Sequence, residues 1–167
     1  MTPKMNSVFI VAGEPSGDIH AAKLISALKA ISPKTKFFGN GGDKMAESGV
    51  EIIHHINDMS VMGFIEVIKH YPRLLNILKD TTSSIKKIKP DKIILVDYPG
   101  FNLRLAKKIK KLKLGIPITY FILPQLWAWK EGRIKIMKKV IDQSISIFPF
   151  ETDWYISKGL DTFYAGH

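Results

Sequence analysis

Residues 8–18 read Val8-Phe9-Ile10-Val11-Ala12-Gly13-Glu14-Pro15-Ser16-Gly17-Asp18, an apolar run that breaks into a turn. Four to eight apolar residues bounded by glycine are typical of a strand that is buried on both faces of a sheet. Apolar residues then recur at helical spacing, at Leu24, Leu28 and Ile31, which predicts an amphipathic helix. A turn between a parallel strand and its helix lies at the carboxyl edge of the sheet, where open α/β folds bind ligands.

This turn contains two glycines and two acids. Gly13 and Gly17 would permit a tight turn, and the free N–H groups at the start of the helix would face a ligand. Asp18 could cap the helix, and Glu14 could accept hydrogen bonds from sugar hydroxyls. A turn with nothing more than a capping acid explains the same spacing equally well. The pattern is neither a Walker A loop nor G-x-G-x-x-G.

Strands alternate with helices along the rest of the chain. Further strands are predicted at residues 34–39, 50–53, 92–96, 116–122, 143–148 and 162–165. Helical patterns are found around Met45 and at residues 64–78, 81–89, 105–112, 130–140 and 152–158. This alternation predicts one domain of the α/β class, with a doubly wound, mostly parallel sheet.

The composition narrows the possible partners. The 167 residues include no cysteine, which excludes disulfides and thiolate metal sites, and the five histidines are too scattered to predict a metal site. No apolar run approaches the roughly 20 residues that a membrane span needs. The net charge of +10 indicates an anionic partner: a phosphorylated substrate, an acidic membrane surface or nucleic acid. Nucleic acid fits worst, because the lysines lie on helices without interleaved aromatic residues and no nucleic-acid-binding motif occurs.

A later turn could contribute chemistry at the same edge of the sheet. Asp97 follows the strand 92–96, and partial burial at a strand end raises the pKa of a carboxyl toward values that suit a general base. The same aspartate could instead cap the next helix. Asn102 could hold a substrate hydroxyl or only shape the start of that helix.

Two tryptophans, an arginine and an apolar segment complete the candidates. Trp127 and Trp129 precede a basic helix, where indole rings could stack on a sugar, anchor at a membrane interface or fill the core. Arg133 lies one helical turn after Trp129 and could bind a phosphate through two parallel hydrogen bonds. Segment 59–65 is apolar without a clear period, so a buried loop competes with an exposed patch that meets acyl chains.

Five motifs occur in order across nearly the whole chain. They are Gly13-Glu14-Pro15-Ser16-Gly17-Asp18, Gly41-Gly42-Asp43-Lys44-Met45, Ser60-Val61-Met62-Gly63-Phe64-Ile65-Glu66-Val67, Asp97-Tyr98-Pro99-Gly100-Phe101-Asn102 and Pro124-Gln125-Leu126-Trp127-Ala128-Trp129. Together they resemble the N-terminal half of the lipid-A-disaccharide synthase family of bacterial glycosyltransferases. The resemblance implies a GT-B architecture, in which two Rossmann-like domains face each other across a cleft. It also implies that UDP-2,3-diacylglucosamine and 2,3-diacylglucosamine 1-phosphate react to a β-1,6 disaccharide and UDP in an inverting transfer.

The resemblance further implies roles for single residues. Asp97 matches the aspartate that deprotonates the attacking 6-hydroxyl. The other matched positions would bind substrate: Glu14, Ser16, Gly17 and Asp18 on the acceptor side, Asn102 in the Asp97 motif, Met62, Gly63 and Glu66 in the segment associated with acyl chains, and Gln125, Trp127, Trp129 and Arg133 beside the cleft. No metal ion and no cofactor are expected, since the UDP-sugar is a substrate. Some relatives carry an acid where this chain has Gly100, so a role for that acid does not transfer.

Length and location are also implied by the resemblance. Residues 1–167 would form the acceptor-binding domain, and the UDP-sugar domain of the family is absent from this sequence. We therefore expect little activity from the chain alone, with a separate C-terminal polypeptide as a candidate partner. The family implies a cytoplasmic location, peripheral on the anionic surface of the inner membrane. The alternative is a non-catalytic module, derived from that enzyme, that binds anionic lipid.

Overall fold

The computed structural model describes residues 5–60, 64–128 and 131–166, with side chains described throughout these ranges except at 64–68 and 131. All neighbouring strands run parallel, in one sheet with the order β3-β2-β1-β4-β5-β6-β7. The seven strands are β1 (Ser7–Ala12), β2 (Lys36–Gly41), β3 (Val50–His55), β4 (Lys92–Val96), β5 (Ile118–Phe121), β6 (Gln143–Ser146) and β7 (Thr162–Tyr164). The predicted doubly wound α/β fold is therefore confirmed, and every strand pairing is parallel.

Helices connect the strands. They are α1 (Pro15–Ile31), α2 (Asp43–Glu47), α3 (Ile56–Met59), α4 (Phe64–Ile88), α5 (Pro99–Lys111), α6 (Ile134–Val140), α7 (Pro149–Ser157) and a short 3₁₀ helix (Glu131–Arg133) that leads into α6. Among the described residues, none of these helices is long and apolar enough to cross a membrane.

Alternating side chains of the central strands enter two separate cores. On one face of the sheet, Val8 and Ile10 pack with Ile25 of α1 and Met45 of α2. On the other face, alternate residues of the same strands pack with four helices. This second core contains Phe9 and Val11 of β1, Leu78 of α4, Leu105 of α5, Met137 of α6 and Tyr155 of α7. The central strands are apolar throughout because helices cover them on both faces.

Several predicted boundaries differ from the structure, and two of these errors share one cause. The predicted break between helices at residues 78 and 81 does not exist, because α4 continues through it. There the Thr81 hydroxyl donates to the Ile77 carbonyl and accepts from the buried Asn40 amide. The predicted end of the second strand at residue 39 is also wrong, since β2 extends through Gly41. Both errors come from the same long-range contact, in which Asn40 enters the core instead of making a turn.

The sheet order places the turns that contain Glu14 and Asp97 next to each other. β1 lies between β2 and β4. After β1 the chain continues to strands on one side of this pair, and after β4 it continues to strands on the other side. Ala12 at the end of β1 pairs with Val96 at the end of β4. The turns that follow these two strands therefore lie side by side at the carboxyl edge, at the point where strand order reverses. Open α/β sheets bind their ligands at such a point.

Candidate functional site

A hollow of about 270 Å³ opens at the carboxyl edge of the sheet. The turns after β4, β5 and β6 form it. Its lining residues are Asp97, Pro99, Ile122, Leu123, Pro124, Gln125, Phe148 and Glu151. Two carboxyl groups, those of Asp97 and Glu151, therefore border one small space that is otherwise mostly apolar.

Asp97 is held in an unusual backbone conformation. Asp97 and Tyr98 both have positive φ, 45° and 48°, although neither is glycine. Such left-handed residues cost on the order of 1–2 kcal/mol each and persist only where surrounding structure enforces them. Here the Asp97 carbonyl accepts hydrogen bonds from Asn102 Nδ2 (2.7 Å) and from the Tyr120 hydroxyl (2.6 Å). Strain that the fold maintains at one aspartate points to a function for that aspartate.

The surroundings of Asp97 favour its protonated form. Burial raises the pKa of Asp97, the Tyr98 backbone N–H opposes this by donating to the carboxylate, and the charge of Glu151 raises the pKa further. The pKa of Glu14 is also raised, first by burial and then by the charge of Asp97. The turns after β1 and β4 thus share one electrostatic environment, as the sequence predicted.

Gly13 allows these two turns to approach each other. A Cβ atom on Gly13 would lie 2.1 Å from the Tyr98 ring, which occupies that space. The φ of Gly13 is not in the left-handed region, so this glycine is required for close packing and not for a special turn. Tyr98 in turn donates from its hydroxyl to the Met59 carbonyl (2.7 Å).

Asp18 does not reach the hollow. Its carboxylate is buried and accepts hydrogen bonds from three backbone N–H groups, those of Gly42 (2.7 Å), Lys44 (3.0 Å) and Met45 (3.1 Å). The cap position of α1 is Glu14, whose side chain makes no capping bond, so the prediction that Asp18 caps its own helix is wrong. Asp18 instead binds the start of α2, which makes it a structural residue.

The neighbours of Asp18 in the first motif also divide by location. Ser16 is exposed in the first turn of α1, where a ligand can reach it. Gly17 is buried, and a Cβ there would contact Ala12 at 3.4 Å. Gly17 therefore packs the helix onto the sheet. Asn102 is likewise buried, beneath the Asp97 turn, and does not line the hollow.

Trp127 stands at the rim of the hollow. Its indole Nε1 donates to Glu151 Oε1 (3.2 Å), and its ring meets the Phe150 ring edge-on at 5.5 Å. The side chain is 44% exposed, which rules out core filling. Gln125 is exposed and lines the hollow. Arg133 lies near the buried Tyr120 phenol. Burial and the Asp97 charge raise the pKa of Tyr120, and the Arg133 charge lowers it by a smaller amount.

Glu151 was missed by the sequence reasoning. It sits in the first turn of α7, the helix that follows β6, so a search for acids at the starts of the helices that follow strands would have found it. Met62, Gly63 and Trp129 lie outside the described residues, as does the side chain of Glu66. Their predicted roles stay predictions.

An apolar groove of about 260 Å³ adjoins the hollow. Tyr98 lines it, so consecutive residues border two different cavities. The remaining lining residues come from α4 and α5: Tyr71, Leu74, Leu75, Leu78, Gly100, Phe101 and Arg104. At its rim, Arg104 donates to the Tyr71 hydroxyl (2.6 Å) and lies over the Tyr71 ring.

Metal ligands do not cluster in the part of the chain that the structure describes. No three His, Asp or Glu side chains within it are close enough together to hold a metal ion. The expectation of a reaction without metal or cofactor stays a prediction.

Comparison with known sequences gives one family. The sequence matches the family described as LpxB, Lipid-A-disaccharide synthetase, over residues 8–167. A lipid-A-disaccharide synthase of Myxococcus xanthus is 46% identical over 159 residues, which cover 95% of this chain and 41% of the relative. The enzyme of that name from Coxiella burnetii is 38% identical over 161 residues, covering 96% of this chain and 42% of the relative. The chain thus spans about two fifths of the length of these relatives.

Comparison with solved structures gives the fold. A UDP-GlcNAc 2-epimerase from Neisseria meningitidis, bound to UDP-GlcNAc, superposes with a TM-score of 0.67 at 14% identity. The match covers 96% of this chain and 46% of the epimerase. The epimerase from Methanocaldococcus jannaschii gives a TM-score of 0.66 at 13% identity, with the same two coverages. These matches agree with a Rossmann-like domain of the GT-B type.

Proposed function

Since this chain belongs to the lipid-A-disaccharide synthetase family, we propose that it forms the acceptor-binding half of a glycosyltransferase of lipid A biosynthesis. The acceptor is an acylated glucosamine phosphate, 2,3-diacylglucosamine 1-phosphate. The donor is UDP-2,3-diacylglucosamine, and the product is the β-1,6-linked disaccharide. The relatives are more than twice as long as this chain, and we assign the UDP-sugar site to the part of them that this chain does not match.

The observation that carries the proposal is the pair of cavities on either side of residues 97–98. The hollow beside Asp97 has room for a sugar hydroxyl and a polar rim that includes Gln125. The groove beside Tyr98 is mostly apolar, and its volume of about 260 Å³ can take part of an acyl chain. A substrate with a sugar ring and fatty chains needs both kinds of space in direct contact.

The proposed reaction is an inverting displacement. The Asp97 carboxylate takes the proton of the acceptor 6-hydroxyl, and the oxygen attacks the anomeric carbon of the donor sugar. The bond from that carbon to the UDP oxygen breaks, and UDP leaves with the electron pair. Burial and the Glu151 charge, which raise the pKa of Asp97, make it a better proton acceptor than an exposed aspartate.

The proposal is tested by reconstitution. The chain is co-expressed with the C-terminal part of the Myxococcus xanthus relative, and UDP release is measured with both lipid substrates. We expect release only when both polypeptides are present. Loss of the base lowers such rates by about 10²–10⁴-fold, so Asp97→Asn should be nearly inactive.

Asp161→Asn is the matched control. Asp161 is exposed and precedes β7, at the edge of the sheet opposite to the hollow. The control should keep wild-type turnover. Full turnover by Asp97→Asn would show that the base is assigned wrongly, and no release from any combination of the two polypeptides would contradict the proposed activity.

A second candidate, a non-catalytic module that binds anionic lipid, is favoured by the charge of α5. Arg104, Lys107, Lys108 and Lys111 are exposed and recur at the spacing of one helical face. Because Arg104 also lines the apolar groove, this cationic stripe runs beside it. Each such charge near an anionic leaflet contributes about 1 kcal/mol of attraction. Either function would place the chain on the inner membrane surface as a peripheral protein.

Vesicle binding, measured together with turnover, separates the two candidates. Reversal of Lys107, Lys108 and Lys111 to glutamate should weaken binding to anionic vesicles and remove its salt dependence. Reversal of Lys34 and Lys36, which are exposed at the opposite edge of the sheet, is the control. Vesicle binding without turnover in any reconstitution would favour the module over the enzyme.

A further inference from the structure

Glu151 is a buried carboxyl that the proposed reaction does not use. It is 2% exposed, although it lies in the first turn of a helix at the active edge. Its Oε1 accepts from the Trp127 indole N–H, and its Oε2 lies 3.2 Å from the Ser146 hydroxyl oxygen. Burying a carboxylate is costly unless it is hydrogen-bonded, and these two contacts join Glu151 to the loop at residue 127 and to the end of β6.

The geometry points to a role for this residue within the proposed function, on which the inference rests. We infer that Glu151 is a positioning residue for sugar transfer. It fixes the loop that carries Trp127 and places Gln125 at the wall of the hollow, and it adds a second negative charge to the hollow that the Asp97 carboxyl borders.

The positioning role follows from how the loop is attached. Residues 123–128 form neither strand nor helix, so their own backbone does not fix the Trp127 ring. Two side chains of α7 hold the loop: the Tyr155 hydroxyl donates to the Pro124 carbonyl, and Glu151 accepts from Trp127. Gln125 lies between these two attachments and lines the hollow. Loss of the Glu151 contact removes the hydrogen bond between the indole ring and α7 and leaves only the edge-on contact with Phe150 among the contacts described above.

The electrostatic role follows from the groups that face Asp97. Glu14 approaches it from the turn after β1, and Glu151 approaches it from α7. The Tyr120 hydroxyl donates to its carbonyl from β5, and Arg133 acts on that phenol from the start of α6. Glu151 lines the same hollow as Asp97, and its charge raises the pKa of Asp97 after the larger effect of burial. Removing only this charge should therefore ease deprotonation of Asp97.

Two substitutions separate the two roles. Glu151→Gln removes the charge but keeps an oxygen that accepts from the indole. Glu151→Asp keeps the charge but is one methylene shorter, so it loses reach to Trp127. The control is Glu51→Gln, at an exposed position of β3, the outermost strand of the sheet on that side. The titration of the Asp97 carboxyl carbon and the Trp127 indole N–H resonance are followed by NMR on the chain itself.

We expect Glu151→Gln to move the Asp97 titration to lower pH with the indole resonance in place. We expect Glu151→Asp to move the indole resonance while the Asp97 titration stays raised, and this variant also tests the inference if the glutamine variant does not fold. An unchanged Asp97 titration in Glu151→Gln, or an unchanged indole resonance in Glu151→Asp, would overturn the inference. Neither readout needs turnover, so the result is independent of whether the reconstituted protein transfers sugar.

Discussion

Asp18 and Asp97 are two acids at the same edge of the same sheet, in or beside the turns after neighbouring strands. Asp18 is buried and accepts three backbone hydrogen bonds, so its carboxylate is fully used by the fold. Asp97 is half-buried and strained, and its backbone carbonyl is fastened by two donors while its carboxyl faces a hollow. One aspartate therefore stabilises the domain, and the other lies in a strained turn at the hollow, where we propose that it acts as the base.

The largest effect is expected at Asp18. Asp18→Ala leaves three N–H groups near the start of α2 without their partner, which should lower the free energy of unfolding by about 3 kcal/mol. Urea denaturation measures this loss. Asp161→Ala, on the exposed surface, should change stability by less than about 0.5 kcal/mol. A loss for Asp18→Ala no larger than the control's would remove the structural half of the comparison.

A smaller loss is expected beneath Asp97. Asn102 is buried and donates to the carbonyls of Val96 (3.2 Å) and Asp97 (2.7 Å). Asn102→Ala should destabilise the domain by about 2 kcal/mol and, unlike Asp18→Ala, should release the strained turn. Denaturation together with the backbone NMR shifts of residues 97–98 detects both changes. Wild-type shifts in this variant would mean that Asn102 does not hold the turn. The control is Asn57→Ala, at an exposed position.

The second donor to the same carbonyl should matter less. Tyr120→Phe removes the 2.6 Å hydrogen bond to the Asp97 carbonyl, which still accepts from Asn102. We expect a loss of about 1 kcal/mol, the usual net value of one neutral hydrogen bond. Thermal unfolding compares it with Tyr164→Phe, an exposed tyrosine on β7 that should lose nothing. A Tyr120→Phe loss larger than that of Asn102→Ala would reverse the order of the two supports.

The smallest effect is expected at Glu14. Burial and the Asp97 charge raise the pKa of Glu14 in the folded chain, so folding favours its protonated form. That stabilisation is complete below the ordinary glutamate pKa and is lost as pH rises through the raised value. Relative to Glu14→Gln, the wild type should therefore be more stable in acid than at neutral pH, by less than about 0.5 kcal/mol. Denaturation of both proteins at the two pH values tests the sign, and the opposite trend would contradict a shared environment with Asp97.

The sequence predicted most of the fold because strands and helices depend on local patterns. The bounds of β4 are correct, and the adjacency of the turns containing Glu14 and Asp97 follows from parallel topology alone. The features that could not be predicted from the sequence depend on contacts between residues that are far apart in the chain. Asp18 binds N–H groups 24 to 27 residues away, and Asn40 reaches Thr81 across 41 residues.

The candidate site was predictable to a similar extent. Position at a strand end identified Asp97, whereas the left-handed backbone there and the bond from Trp127 to Glu151 depend on packing between separate elements. Spacing alone therefore could not divide the acids into structural and chemical ones. That division needed the hydrogen-bond partners of each carboxylate.

The free energy of unfolding of Asp97→Asn at neutral pH tests this division most directly. Because burial and neighbouring charge raise the pKa of Asp97, its ionised form destabilises the folded chain above that pKa. Asparagine removes the charge and is among the residues best tolerated at positive φ. The account predicts a variant at least as stable as the wild type, and a loss of more than about 1 kcal/mol would contradict it by making Asp97 a structural acid like Asp18.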